Sequence, residues 1–128
     1  MPVIAYYDRD DMDLKVVACS SQNCYPGIGN SAGSSQLVSV VDSSGDVGTN
    51  SSIAIQGNNN PVIAYYDITS GALKVAECTT PSCSSSIIKT IGPADDSGRM
   101  SIAIGNDGTP LVAYIDNNSL KIARVPIG

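Results

Sequence analysis

Three aspartates close copies of one seven-residue motif, and a lysine follows each of them. The copies are Pro2–Asp8, Pro61-Val-Ile-Ala-Tyr-Tyr-Asp67 and Pro110-Leu-Val-Ala-Tyr-Ile-Asp116; the lysines are Lys15, Lys74 and Lys121. The first two pairs are seven residues apart and the third is five. Across a hairpin such residues meet as cross-strand ion pairs or cap the turn. Gathered on one face of a repeat stack, the carboxylates could instead hold a cation or sugar hydroxyls. Tyr6, Tyr65 and Tyr114 stand two residues before the aspartates. A phenol ring packs in a core or stacks on a sugar, because its body is apolar and its tip polar. Asp8, Asp67, Asp116, Tyr6, Tyr65 and Tyr114 are therefore the candidate ligand-binding residues, with packing and ion pairing as the structural alternative.

Several other chemistries find no support. The chain has no histidine, so a Ser-His-Asp or Cys-His arrangement is impossible. Gly27-Ile-Gly29 is followed neither by a helix pattern nor by the lysine of a phosphate-binding loop. Asp8-Arg-Asp-Asp-Met-Asp13 concentrates four carboxylates, and calcium favours such oxygen-rich loops. The run lacks the glycine and distal glutamate of the helical calcium loop, and Asp67–Gly71 does not repeat it, so it reads as a solvated hairpin turn. No metal site and no cofactor are expected. Glycoside hydrolysis needs two carboxyl groups about 5–9 Å apart; the one glutamate, Glu77, sits among apolar residues, and nothing marks an acid/base pair.

The cysteines form two pairs of equal spacing at the same place in the repeat, Cys19-Ser-Ser-Gln-Asn-Cys24 and Cys78-Thr-Thr-Pro-Ser-Cys83. Zinc sites favour shorter, converging pairs, often with histidine. Disulfides Cys19–Cys24 and Cys78–Cys83, each closing a loop, are the expected arrangement, ahead of free thiols or a metal. Closing so short a loop contributes about 2–3 kcal/mol. Disulfides point to an oxidising compartment, extracellular or periplasmic. No secretory signal is legible, because the motif begins at the second residue.

These residues sit on a repeat of four short strands, called A to D. Strand A is Ser52-Ile-Ala-Ile55 or Ser101-Ile-Ala-Ile104, each followed by a turn rich in residues that tolerate positive φ. Strand B is the proline-to-aspartate motif. Strand C is Leu14-Lys-Val-Val-Ala-Cys19, Ala72-Leu-Lys-Val-Ala-Glu-Cys78 or Leu120-Lys-Ile-Ala-Arg-Val125. Strand D is Gln36–Val41 or Ser86–Ile91. The glycine-containing acidic turns Gly45–Gly48 and Asp95–Gly98 lead back to strand A. The motif recurs after 59 and then 49 residues, the longer first copy carrying an insertion around Tyr25–Ser34. No segment keeps a 3.6-residue period, so essentially no helix is expected.

Four-stranded units at this spacing are the signature of a β-propeller. The expected fold is all-β: one repeat domain over residues 1–128, with copies at approximately 1–50, 51–98 and 99–128. The strand count is B-C-D, A-B-C-D, A-B-C, about two and a half blades. Propellers close with about four or more blades. An open stack leaves apolar faces in water, so either self-association completes a ring or the chain is cut from a longer protein. Two copies would bring about twenty strands, within reach of a ring of about five or six blades.

Composition bounds the partners. The 128 residues carry a net charge of −5 with only seven Lys and Arg, and lack both Phe and Trp. Nucleic-acid binding, which calls for a basic stripe and stacking aromatics, is not expected. No run approaches the roughly 18 apolar residues of a membrane-spanning helix.

The string Gly45-Asp-Val-Gly48, Ser52-Ile-Ala-Ile55, Pro61–Asp67, Leu73-Lys-Val-Ala76 and Cys78…Cys83 resembles a repeat of many bacterial extracellular or surface proteins. That repeat reads roughly as serine-isoleucine-alanine-isoleucine-glycine, an aspartate-glycine turn, "P-V-I-S-Y-Y-D", "G-D-L-K-V-A" and a cysteine pair. The resemblance covers nearly the whole chain and implies a propeller-like fold without implying an activity. The departures are the Tyr25–Ser34 insertion, the Asn58–Asn60 turn, which lacks the aspartate-glycine pair, and a third copy without cysteines. The functional expectation is a non-enzymatic repeat module, a binding or scaffold surface for glycan or protein. The alternatives are a piece of a propeller glycoside hydrolase or a repeat fragment with no independent function.

Overall fold

The computed structural model describes residues 2–19, 37–95 and 99–126. Among them there is no helix, and ten strands form three antiparallel sheets. Sheet one orders β1 (Val3–Asp8), β2 (Asp13–Ala18) and β3 (Leu37–Asp42). Sheet two orders β4 (Val47–Ile55), β5 (Pro61–Asp67), β6 (Ala72–Cys78) and β7 (Ser86–Pro93). Sheet three orders β8 (Ser101–Ile104), β9 (Pro110–Asp116) and β10 (Ser119–Arg124). This is the strand grouping expected from the repeat. The Tyr25–Ser34 insertion lies outside the described residues.

Side chains alternate across a strand, so each sheet has two faces. On sheet two, Val62, Ala64, Tyr66, Leu73 and Val75 share one face, here the leucine face. Ile63, Tyr65, Lys74, Ala76 and Cys78 share the other, the lysine face. The leucine face packs against Ile102, Val112 and Val125 of the third copy. The lysine face packs against Leu14, Val16 and Val41 of sheet one. All seven residues of β5 are buried as a result. Fully burying each such aliphatic side chain contributes about 1.5–3 kcal/mol relative to leaving it exposed.

Turn chemistry sets the register. Four residues join β1 to β2 and β5 to β6, whereas Asn117 and Asn118 alone join β9 to β10. Both asparagines have positive φ, 55° and 62°, which is the requirement of a two-residue hairpin turn matched to strand twist. The loop lengths differ by two, so the alternation of faces is preserved. This is why the third aspartate–lysine spacing is five rather than seven and still brings the pair together.

Strand A of the second copy is longer than expected. Gly45–Gly48 is not wholly a turn: β4 begins at Val47 and runs irregularly, with register shifts before Ser52. Gly48 explains the departure. Its φ is 113°, and a Cβ there would stand 2.8 Å from Leu14 Cα, so its backbone lies directly on sheet one. The Val47 N–H donates to the Met12 carbonyl in the same crossing.

The first hairpin is strained where the second is relaxed. Met12 has φ 60°, and its counterpart Gly71 has φ 69°. A side chain in the left-handed region costs about 1–2 kcal/mol, so Met12→Gly should raise stability by up to about 1 kcal/mol. Gly71→Ala should lower it. Urea unfolding midpoints of the two variants against the parent check both signs.

Candidate functional site

The aspartate–lysine pairs form in all three sheets. Asp8 and Asp11 both bind Lys15, at 2.5 and 2.7 Å; Asp67 meets Lys74 at 2.8 Å; Asp116 meets Lys121 at 2.9 Å. The pairs made by Asp8, Asp67 and Asp116 are cross-strand pairs at the B–C hairpin, each lysine two residues in from the turn on strand C, and Asp11 reaches Lys15 from the turn itself. Within the acidic run, Asp8 also accepts the backbone N–H groups of Asp10 and Asp11. Its carboxyl is held below the usual range by Lys15 first and then by those N–H groups. The Lys15 ammonium is held up by Asp11 and Asp8. Among the described residues no group of three or more potential metal ligands converges.

Depth separates the three pairs. Lys121 is exposed, but Asp67 is buried between sheets one and two, and Lys74 nearly so. A second carboxylate joins this middle pair from across the sheet contact. Asp42, buried at the end of β3, lies 4.0 Å from Lys74. It accepts the Tyr65 hydroxyl at 2.6 Å and the Ser44 N–H at 2.9 Å. Burial and this bond push the Tyr65 hydroxyl well above its ordinary range. Burial alone would raise the Asp67 carboxyl, but hydrogen bonds from Lys74 and Ser70 outweigh it, and the net displacement is downward.

The six candidate residues are thus placed alike in sequence and differently in space. Tyr65 and Asp67 are committed to the contact between sheets one and two. Tyr114 packs half-buried against the second contact, and Asp116 is part-exposed beside Lys121. Tyr6 and Asp8 lie on the lysine face of sheet one, which no other described sheet covers. The structure does not gather the six into one cluster. Beside the middle pair, a depression of about 440 Å³ is lined by Asp67, Ser70, Lys74, Thr90 and Gly92, among others.

Two residues in the network escaped the sequence reading. Asp42 looks like the end of strand D, and Asp46 like part of a turn. Asp46 accepts the Tyr7 hydroxyl at 2.6 Å, and its carbonyl accepts the Ile68 N–H. It therefore clasps the B–C hairpin of sheet two to sheet one. At the next contact the same task is divided: Asp95 donates its N–H to the Ile115 carbonyl and accepts the Asn118 N–H, while Ala94 beside it donates to the Gly71 carbonyl of sheet two. The signal was present in the recurrence of an aspartate six residues before Ser-Ile-Ala-Ile.

Cys78 and Cys83 form the expected disulfide, with Cα atoms 4.8 Å apart. It closes the loop between β6 and β7 and packs into the contact with sheet one. Cys19 is also disulfide-bonded; its expected partner Cys24 lies outside the described residues. A disulfide is compatible with an extracellular or otherwise oxidising location. Among the described residues no helix is long and apolar enough to cross a membrane. Glu77, the one glutamate, is buried and paired with Lys89 at 3.0 Å.

No family model matches the chain, and neither the curated proteins nor the solved structures hold a match to it.

Lys74→Ala strands two buried carboxylates and should cost about 3–5 kcal/mol, whereas Lys121→Ala, on the exposed pair, should change stability little; chemical denaturation of both variants checks the contrast. A second expectation concerns acid. Because the folded-state value of Asp67 lies below the ordinary 3.8, its stabilisation is complete above that pH and drains away as pH falls through the folded value. Thermal melts in the acid range should show a shallower loss of stability for Asp67→Asn than for the parent.

Proposed function

We propose that the chain is a non-enzymatic module of the β-propeller type, its three sheets serving as blades, and that it works as a binding or scaffold surface for a glycan or protein ligand. One observation carries this reading: both internal contacts join the leucine face of one sheet to the lysine face of the next. Repetition of a single contact is how repeat architectures build an extended surface from small units. The resemblance to bacterial extracellular repeats and the Cys78–Cys83 disulfide agree with it. Self-association belongs to the same reading, because the outer sheets keep exposed apolar side chains.

The B–C hairpins and the connectors that clasp them share one rim of the stack. That rim carries Asp8, Asp46, Asp95 and Asp116, together with the depression beside Asp67 and Lys74. Carboxylates, an ammonium group and hydroxyls at a shallow opening suit polyhydroxyl ligands, or a basic segment of a protein.

A glycan array and a panel of basic peptides should therefore return at least one class of binder. Thr90→Trp, which fills the depression from an exposed strand position, should weaken that binding roughly tenfold, equivalent to about 1.4 kcal/mol. Uniform failure to bind, or binding indifferent to Thr90→Trp, would count against a ligand at this rim.

A further inference from the structure

The contact between sheets has a direction. Sheet one offers Leu14 and Val16 to Ile63 and Tyr65 of sheet two. Sheet two offers Leu73 and Val75 to Val112 and Tyr114 of sheet three. Leu14, Val16, Leu73 and Val75 are completely buried. Their counterparts on β10, Leu120 and Ile122, are each 69% exposed, with Leu111 exposed beside them on β9. At the opposite end Ile4 is 39% exposed, although its counterparts Ile63 and Val112 are completely buried. One chain therefore presents an uncovered leucine face at one end and, at the other, a lysine face that no described sheet covers, with Ile4, Val38 and Val40 exposed around a buried Val17. These are the two halves of a contact it already makes twice.

We propose that a second copy of this chain supplies the missing cover. The leucine face of β8–β10 docks on the lysine face of β1–β3 in the partner, and the reciprocal contact closes a two-fold ring of six sheets. This rests on the blade reading given above. Such a head-to-tail contact closes when the rotation between units permits and otherwise runs on as a filament. Six sheets fall within the about four to eight blades of closed propellers. Pairing of two lysine faces is disfavoured. Two lysine faces would set the Lys15 carboxylate cluster against its own copy and desolvate both, whereas in the first internal contact Lys74 and Tyr65 are met by Leu14, Val16 and the carboxylate of Asp42.

Complementation tests the pairing. Leu120→Asp/Ile122→Asp blocks one end, and Ile4→Asp blocks the other. Circular dichroism confirms that each variant is folded, and Ile4→Asn replaces an Ile4→Asp that is not. Light scattering should give the parent twice its chain mass of 13.2 kDa and each variant alone the mass of one chain. An equal mixture of the two variants should recover a two-chain particle, because one intact leucine face then meets one intact lysine face. A variant that pairs alone, or a mixture that stays single, overturns the head-to-tail contact and leaves self-association standing. A single-chain parent overturns both, and open-ended polymers of the parent overturn the ring.

Discussion

Burial of one strand on both its faces is the constraint on which the rest of the structure depends. All seven residues of β5 are withdrawn from water. A strand with no polar side cannot lie at the surface of a single sheet. It needs cover from two directions, and sheets one and three provide it. Each covering sheet is built from the same repeat and is itself apolar on both sides, so covering β5 moves the uncovered surface outward without removing it. The exposed Leu120 and Ile122 follow from the same composition that makes the middle of the stack so well buried.

Polar groups then decide how the sheets sit on one another. The apolar contact alone is tolerant of sliding. Asp42, Tyr65, Lys74 and Asp67 are not, because each must find its partner out of water. The net gain from a buried ion pair is small, while the cost of separating one is large. Their contribution is thus to the choice of register more than to total stability. Asp46 at one contact, and Ala94 with Asp95 at the next, extend that control to the connectors, tying the hairpin of each copy to the one beside it.

Much of this was legible in the residues. Pro61–Asp67 has no polar face before its aspartate, which announces two-sided burial. The aspartate–lysine pairs were readable because a hairpin is local and its register follows from loop length. The strand boundaries held to within a residue or two except at β4, where a glycine that looks like turn punctuation serves instead to let backbone approach backbone at Leu14. Two things were not readable. Alternation divides residues between two faces, but it does not say which sheet covers which. Asp42 meets Tyr65 across 23 residues of chain, a contact that exists only once the stacking order is settled. The candidate ligand residues failed to gather for the same reason: equivalent positions in a stack lie one sheet apart.

The unequal hairpins carry a consequence for how such a chain can vary. The third B–C tip is two residues shorter than the others, and its strands still present Leu120 and Ile122 where Leu14 and Val16, or Leu73 and Val75, stand in the earlier copies. A gain or loss of a single residue would turn the following strand over and exchange its oily side for its charged one. Length at that tip is therefore counted in even steps. Copies of the unit can drift apart by whole pleats, through successive duplications, and each still greets its neighbour with the same side.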